Sequence, residues 1–443
     1  MYESQRAMPH VSIHYAVKVV LCILASPLVL VYFVASAVRS RMGRGKQRQG
    51  IVLFSFSQVI WDDVWQRPQE HAWRSAVKHD VVYCAPVQLH NWFWNLGRRF
   101  RQVKTYQRGA GSLLVLSPLV FSGHFKSRFV HEVNCAIIAW HARLWMGRHT
   151  AVHCVANTPF ALRPIQRLFY RDGQRSTSLR RLVYDVIDDF TAFDWSPDFG
   201  KTFDSDMLKM ADAVLTGTHQ LARALINSTF IPCGVNFTEF STPAPAPADI
   251  AKLRKPVIGY FGTISERIDL DLIAEICEAY PHAAVVLIGP IHFQQAGLPH
   301  KPNLHYLGLK PHEQIPAYAQ AFDVGLIPFR LTPATLQLHP VKTLEYLAAG
   351  IPVVSTALPD VEHFYSGIVD VAHSRHEFIE LVGKRLDRVD PTRIAAGIER
   401  ARRASWEAMT DRINASLLTE STGAGAAAEH EFRRPKSHSA EPV

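Results

Sequence analysis

No CxxC pair occurs in this chain. Its six cysteines, Cys22, Cys84, Cys135, Cys154, Cys233 and Cys277, lie far apart. That spacing excludes zinc ribbons and thioredoxin-like redox motifs, and reads as small buried residues in a reducing compartment. Neither candidate first strand is followed by GxGxxG, and no GxxxxGK[ST] is present. The nicotinamide-type and P-loop readings therefore lack their phosphate-binding turns. GxSxG, HExxH and EF-hand loops are missing as well. A basic surface covering the whole molecule is also missing. Of the net charge of +9, five cations fall in one short stretch: Arg39, Arg41, Arg44, Lys46 and Arg48. A nucleic-acid binder is not indicated.

The chain is 443 residues long, 48% apolar and 20% charged, enough for two domains with full cores. Residues 1–18 form a short tail. Val19 to Val38 contain no charge and are long enough as a helix to span a bilayer. Lys18 precedes the run and the basic stretch 39–49 follows it. The positive-inside rule then predicts a single-pass anchor in the cytoplasmic (inner) membrane, with the rest of the chain cytoplasmic. A cleaved signal peptide is the alternative, because Ala35-Ser36-Ala37 resembles a cleavage site.

Short apolar runs then recur with helical segments between most of them. They are IVLFSFS (51–57), VVYCAPV (81–87), LLVLSPL (113–119), AVHCVAN (151–157), LVYDVID (182–188) and AVLTGT (213–218). After the Pro/Ala-rich stretch 241–254 the pattern resumes at PVIGYFG (256–262), AVVLIG (284–289), LHYLG (304–308), DVGLIPF (323–329), IPVVST (351–356) and GIVDVA (367–372). This is the alternation of doubly wound parallel sheets. It predicts an α/β chain with a Rossmann-like domain over 50–240, a linker over 241–254 and a second Rossmann-like domain over 255–390. A helical segment over 391–420 and a disordered tail over 421–443 follow. Ligands of such sheets bind outside the carboxyl ends of the strands.

The most informative stretch is HPVKTLEYLAAGIPVVST (339–356). Pro340 suits a helix start and Gly350 a helix stop. A helix N-terminus is an anion site, and Lys342 in the first turn adds a full charge. Glu345 follows one turn later on the same face, where a carboxylate could accept hydrogen bonds from ribose hydroxyls. The alternative is a packed helix carrying an exposed Lys–Glu pair.

This segment resembles the donor-binding segment of the GT-B retaining glycosyltransferases of family 4. NLHYLGLKPHEQIPAYAQAFDVGLIPF and FIPCGVNFTEF resemble elements that precede it in that family. WQRPQEHAW and VYDVIDDF are similar to its subgroup in polysaccharide and teichuronic-acid-type pathways. The resemblance runs from about 50 to 415 and implies a GT-B fold, to which the uncharged run 19–38 would add an N-terminal transmembrane helix. It implies transfer of a sugar, with retention, from a nucleotide-diphosphate sugar to a glycan or lipid-linked acceptor, without a metal cofactor. By the same resemblance Gly262 would let the chain approach the donor diphosphate, which Arg267 and Lys342 would neutralise. Glu345 would hold the ribose, and the backbone at Tyr306 and Leu307 would meet the base. Asp188 would face the transferred sugar or the acceptor hydroxyl. Gln337 stands where the family often has a Glu contacting the donor sugar, and Cys233 where Asn is usual. The substitution at 337 keeps open a non-catalytic scaffold subunit beside the enzyme, and a GT-B nucleotide-sugar epimerase is the other alternative.

Three further features have bland and functional readings. Asp204-Ser205-Asp206 and Asp269-Leu270-Asp271 are DxD triplets, which can hold a metal–nucleotide pair, although Asp269 also suits a helix cap. His124 and His153 could act as bases or be structural. His90–Arg108 interleaves aromatics and cations, as a membrane interface does, or a loop folded over the sheet.

Overall fold

The computed structural model describes residues 51–419, apart from 63–64, 89–102, 147–150, 191–195, 292–296 and 334. The expected span at 19–38 lies outside the described residues. Among those described, no helix is long and apolar enough to cross a membrane. The chain forms two compact units. The first comprises the residues up to Leu215, Ala224–Thr229 and those from Ile413 on; the second comprises Thr216–Arg223 and Phe230–Arg412.

The first unit is built on β1 (Ile51–Phe56), β2 (Asp80–Cys84), β3 (Val103–Arg108), β4 (Gly111–Leu116), β5 (Ala151–Ala156), β6 (Leu179–Val186), β7 (Ala213–Thr216) and β8 (Thr229–Phe230). Their order in the sheet is β8-β7-β6-β5-β1-β2-β4-β3. β1 pairs in parallel with both β2 and β5, and its successive residues Leu53 to Phe56 are all buried, so both of its faces are covered, which explains its unbroken apolar run. At one edge, β3 runs antiparallel to β4. It forms the end of the aromatic and basic segment, and it is structural. The Arg108 guanidinium stacks 3.8 Å from the Trp73 ring, and Lys104 pairs with Asp62. Helices α1 (Arg67–Ser75), α2 (Arg128–Met146), α3 (Leu162–Phe169) and α4 (Asp198–Met210) accompany this sheet.

The second unit carries β9 (Val257–Phe261), β10 (Ala284–Ile288), β11 (Leu304–Gly308), β12 (Val324–Ile327), β13 (Val353–Thr356) and β14 (Asp370–Ala372). The order β11-β10-β9-β12-β13-β14 is that of a Rossmann sheet, with the chain reversing direction between β9 and β12. Its helices include α5 (Leu270–Ala279), α6 (Ile315–Gln320), α7 (Val341–Ala348), α8 (Pro359–Tyr365), α9 (Arg375–Asp387) and α10 (Pro391–Arg403). Each apolar run read from the sequence is a strand here.

Two features depart from the sequence reading. Residues 241–254 are not a free tether but are fastened to the second unit. Asp249 accepts hydrogen bonds from Lys310 Nζ (2.6 Å) and Tyr318 Oη (2.7 Å), and the Ala244 N–H donates to Gln320. The helical segment 391–420 is two helices, α10 and α11 (Trp406–Leu418). The break at Ala404–Ser405 lets Val235 bond on both sides of it, donating to the Ala404 carbonyl and accepting from the Trp406 N–H. The end of α11 packs into the first unit. There Asn414 meets His71 Nε2 (2.9 Å) and Ser75 Oγ (3.0 Å), and the Leu417 carbonyl meets His153 Nδ1 (2.6 Å). His153 is therefore a structural histidine.

Candidate functional site

In the second unit the carboxyl ends of β9, β10 and β11 each turn through a glycine with positive φ: Gly262 (+132°), Gly289 (+142°) and Gly308 (+70°). Side chains are disfavoured at such angles. The three are hydrogen-bonded in a row. The Gly262 N–H donates to the Ile288 carbonyl (2.8 Å), and the Gly289 N–H donates to the Gly308 carbonyl (2.9 Å). A Cβ on Gly289 would lie 2.1 Å from the Gly262 oxygen. The strand ends therefore form a shelf without side chains, beside the point where the sheet reverses.

Helix α7 begins next to this shelf. Its N-cap is Pro340, and no side chain caps the first turn, which leaves backbone N–H groups for an incoming acceptor. Lys342 folds back over Gly262: a Cβ there would lie 2.2 Å from Cε and 2.7 Å from Nζ. The ammonium lies 5.7 Å from the centre of the Tyr260 ring. Lys342 is half-buried, and no ion pair within 4 Å joins it to any described residue. Burial pushes its pKa down, Glu345 opposes the shift and Arg267 adds to it. Glu345, also half-buried, has its pKa raised by burial against the pull of Lys342 and His312. The pair is thus close enough to interact yet not joined, so each group keeps its capacity for a ligand. Arg267 is exposed on the loop after β9, close enough to influence Lys342.

Tyr306 and Leu307 stand on β11, the edge strand. The register slips at Leu307, since Leu287 faces Tyr306 and Ile288 faces Gly308. Tyr306 Oη donates to the Pro299 carbonyl (3.2 Å), and burial raises its pKa to about 12. Gln337 belongs to a 3-10 turn (Thr335–Gln337) just before α7. Gly262, Arg267, Lys342 and Glu345 are therefore brought together. Asp188 lies in the other unit, exposed and two residues beyond β6.

What sequence reasoning missed in the first unit is Asp185. It is 1% exposed on β6 and paired bidentately with Arg67 of α1 at 2.8 and 2.9 Å. Asn157 Nδ2 donates to the same carboxylate at 3.1 Å, and Ser55 Oγ donates to Asn157 Oδ1 at 3.3 Å. The signal was an Asp inside an apolar strand run, which demands a buried cation. Gly289 and Gly308 were missed too, although each directly follows or ends a strand run as Gly262 does.

The first unit also holds a cavity of about 980 Å³ at the ends of β1 and β5. Phe56, Ser57, Val120, His124, Ile138, Thr158, Phe160 and Pro164 are among its walls. His124 is buried, and desolvation first, then His131, lowers its pKa to about 3. It is neutral at physiological pH. The two DxD triplets are engaged elsewhere. Asp204 accepts from Tyr184 Oη (2.7 Å), and Asp206 lies 3.9 Å from Lys209. Asp269 caps α5 through the Leu272 N–H and pairs with Arg375, as does Asp271.

Comparison with known proteins fits this geometry. Residues 255–387 match the family model Glycosyl transferases group 1. Over 167 residues the chain is 30% identical to a Bacillus subtilis (strain 168) protein named teichuronic acid biosynthesis glycosyltransferase TuaH. That match covers 36% of this chain and 40% of the relative's length. Among solved structures, OtsA without ligand superposes with a TM-score of 0.58 at 13% identity, covering 84% of this chain and 99% of that one. Sucrose-phosphate synthase from Thermosynechococcus elongatus gives 0.59 at 14% identity, covering 83% and 98%. The trehalose-6-phosphate enzyme from E. coli bound with UDP-2-fluoro glucose gives 0.57 at 13%, covering 83% and 98%. These structural likenesses establish an α/β fold of the GT-B type, and the three kinds of match together support a glycosyltransferase.

Proposed function

We propose that this chain is a glycosyltransferase that moves a sugar from a nucleotide-diphosphate sugar to a glycan or lipid-linked acceptor, with retention, in cell-surface polysaccharide synthesis. The observation that carries the reading is the shelf of Gly262, Gly289 and Gly308 under the uncapped start of α7, with the Lys342 ammonium above it not ion-paired to any of the described residues. A diphosphate would supply the missing negative charge. The α7 N–H groups, Lys342 and Arg267 would hold it, Glu345 would accept from the ribose hydroxyls, and the base would lie against β11 at Tyr306 and Leu307.

In the reaction the bond between the sugar's anomeric carbon and the diphosphate oxygen breaks. A bond to the acceptor hydroxyl oxygen forms on the same face, and the hydroxyl proton passes to the departing diphosphate. Lys342 and the α7 N–H groups stabilise the charge that grows on that leaving group. The protein then works by positioning and electrostatics, with its own cations neutralising the diphosphate and no metal cofactor. Asp188 would face the sugar or the acceptor, and the first unit's cavity would admit the acceptor. The enzyme would be held at the inner membrane by residues 19–38, with both units in the cytoplasm.

The test is transfer or donor hydrolysis by purified protein against a panel of nucleotide sugars, starting with UDP-sugars. Thermal shift would run alongside, because a bound donor stabilises the fold by mass action. Product anomericity then checks retention, and chelator should leave turnover intact. Donor binding without turnover would favour the scaffold subunit that Gln337 keeps open, and abolition by chelator with rescue by Mn²⁺ would overturn the metal-free mechanism.

A further inference from the structure

His124 stands in the wall of the first unit's cavity, and a neighbour fixes where its proton sits. Asn134 of α2 accepts from the Phe121 N–H through Oδ1 (2.8 Å) and donates to the Phe121 carbonyl through Nδ2 (2.9 Å). This double grip tells the two ends of the amide apart. The same Nδ2 has a second hydrogen to give, and it lies 3.3 Å from His124 Nδ1. Nδ1 is therefore the acceptor of the ring. Burial keeps the ring neutral, so its one proton is on Nε2. Among the described residues nothing accepts from that Nε2–H.

The rest of the wall is uncharged in the same way. Among the described residues it holds no carboxylate and one cation, the exposed Lys126. Ser196 Oγ is buried and has no hydrogen-bond partner among them. Gln58 accepts from Thr158 Oγ1 (3.2 Å), which leaves its amide hydrogens unused. The rings of Phe125 and Phe160, 4.8 Å apart, complete the wall. Buried polar groups without partners are costly, so this wall favours a ligand that supplies hydroxyls and oxygens. A phosphate would bring a charge that the wall has little to balance. A neutral sugar ring offers hydroxyls on its edge and C–H groups on its faces, which match the polar groups and the aromatic rings in turn.

We propose that the cavity binds the acceptor as an uncharged sugar ring, with His124 Nε2–H donating to one of its oxygens. This rests on the reading of the cavity as the acceptor's place.

The test uses the full chain in detergent, without a donor, so that binding is read apart from transfer. The probes are the methyl glycosides of glucose, galactose, mannose and N-acetylglucosamine, each beside the 6-phosphate of the same sugar. Saturation-transfer NMR should detect at least one glycoside, and its 6-phosphate should bind more weakly. His124→Phe should weaken that glycoside by about tenfold, as expected when a buried hydrogen bond is lost. His124→Gln, whose amide nitrogen can stand in for Nε2–H, should restore most of the affinity. In protein labelled with ¹⁵N-histidine, the ring signal missing from both variants belongs to His124. It should report the proton on Nε2 and should move when the glycoside is added. A proton on Nδ1 would overturn the proposal. So would the failure of every glycoside to bind, tighter binding of the phosphates, or wild-type affinity in folded His124→Phe. Sugar binding that needs His124, in a protein that transfers from no donor, would sink the transferase reading and leave this one standing. Transfer to a glycan whose acceptor KM is unchanged in His124→Phe would do the reverse.

Discussion

At the strand ends of the second unit, Lys342 and Glu345 stand near each other without forming an ion pair, over a floor of glycines. At those of the first unit, Arg67 and Asp185 are locked together at 2.8 Å, and His124 is held neutral beside a cavity walled by both polar and apolar side chains. Both sheets place a binding region where the strands end, but they treat charge there differently. A charge already paired inside a protein is committed to the fold, and separating the pair leaves a buried ion uncompensated. A charge held partly out of water without a partner is destabilising until a ligand of opposite sign arrives. By this rule the strand ends of the second unit are built to receive an anion, and the Arg67–Asp185 pair of the first is not.

The largest expected effect tests the committed side of that comparison. Arg67→Ala leaves the Asp185 carboxylate buried with Asn157 alone, and should destabilise the protein by about 3–5 kcal/mol. Chemical denaturation measures this. A loss under about 1 kcal/mol, as for a surface pair, would show that the pair is not fold-critical. Next comes the open side. Lys342→Ala should lower kcat by about 10²–10³ with little change in stability, because the ammonium acts on charge that grows as the glycosidic bond breaks. Gly262→Ala should produce a similar loss without removing any charge, since its Cβ would occupy the place of Lys342 Cε. Wild-type turnover in both folded variants would mean that Lys342 does not face the donor.

How far the sequence could be read depended on whether the signal was local. Most strands of the two main sheets were visible as apolar runs, because a strand buried on both faces has nothing else to show; β3, a half-exposed edge strand of sequence VKTYQR, and the two-residue β8 were not. Lys342 and Glu345 were visible because a helix start places them one turn apart. Gly289 and Gly308 follow the same rule as Gly262, but only the pairing of β9, β10 and β11 reveals that the three make one floor. The Asp185–Arg67 pair spans 118 positions, and no local pattern joins residues that far apart. The polar residues buried on α2 were invisible for a different reason: periodicity marks apolar residues as buried, and here His131, Asn134 and His141 share the interior with Cys135, Ile138, Ala139 and Ala142, Asn134 being held by the backbone of Phe121.

A smaller effect concerns acid. His71, His131 and His141 are pushed by burial to about 4, and His124 to about 3. The unfolded chain takes up protons as pH falls through 6.5, while the folded first unit does not until pH 3–4. Stability is therefore complete above 6.5 and falls as pH drops through that window, by about 1–2 kcal/mol per histidine between pH 7.5 and 5. Denaturation midpoints across this range measure the slope. His124→Phe, which keeps an aromatic beside Phe125 and Phe160, should remove the share of one histidine from that slope. An unchanged slope would mean that His124 is protonated in the folded state and that the cavity is wetter than its walls suggest.

The smallest effect separates the two members of the open pair. Glu345 is proposed to accept from the ribose hydroxyls, a contact present before and during bond breaking. Such a contact stabilises the ground state and the transition state alike, so its loss weakens binding without slowing the bound complex. Glu345→Ala should therefore raise donor KM by about tenfold, roughly 1.4 kcal/mol, with kcat within about threefold of wild type. The change has a second consequence. Glu345 raises the Lys342 pKa against the effects of burial and Arg267, so removing it lowers that pKa further. The Lys342 ammonium should then lose its proton at a lower pH, and the alkaline limb of kcat should move to lower pH in Glu345→Ala. Glu345→Gln, which keeps a hydrogen-bond acceptor but no charge, should recover part of the KM and none of the alkaline shift. Steady-state kinetics across pH, with donor varied, read both quantities. If Glu345→Ala changes kcat by as much as Lys342→Ala and leaves KM untouched, then Glu345 acts on the reacting bond and not on the ribose, and the two residues share one role instead of dividing it.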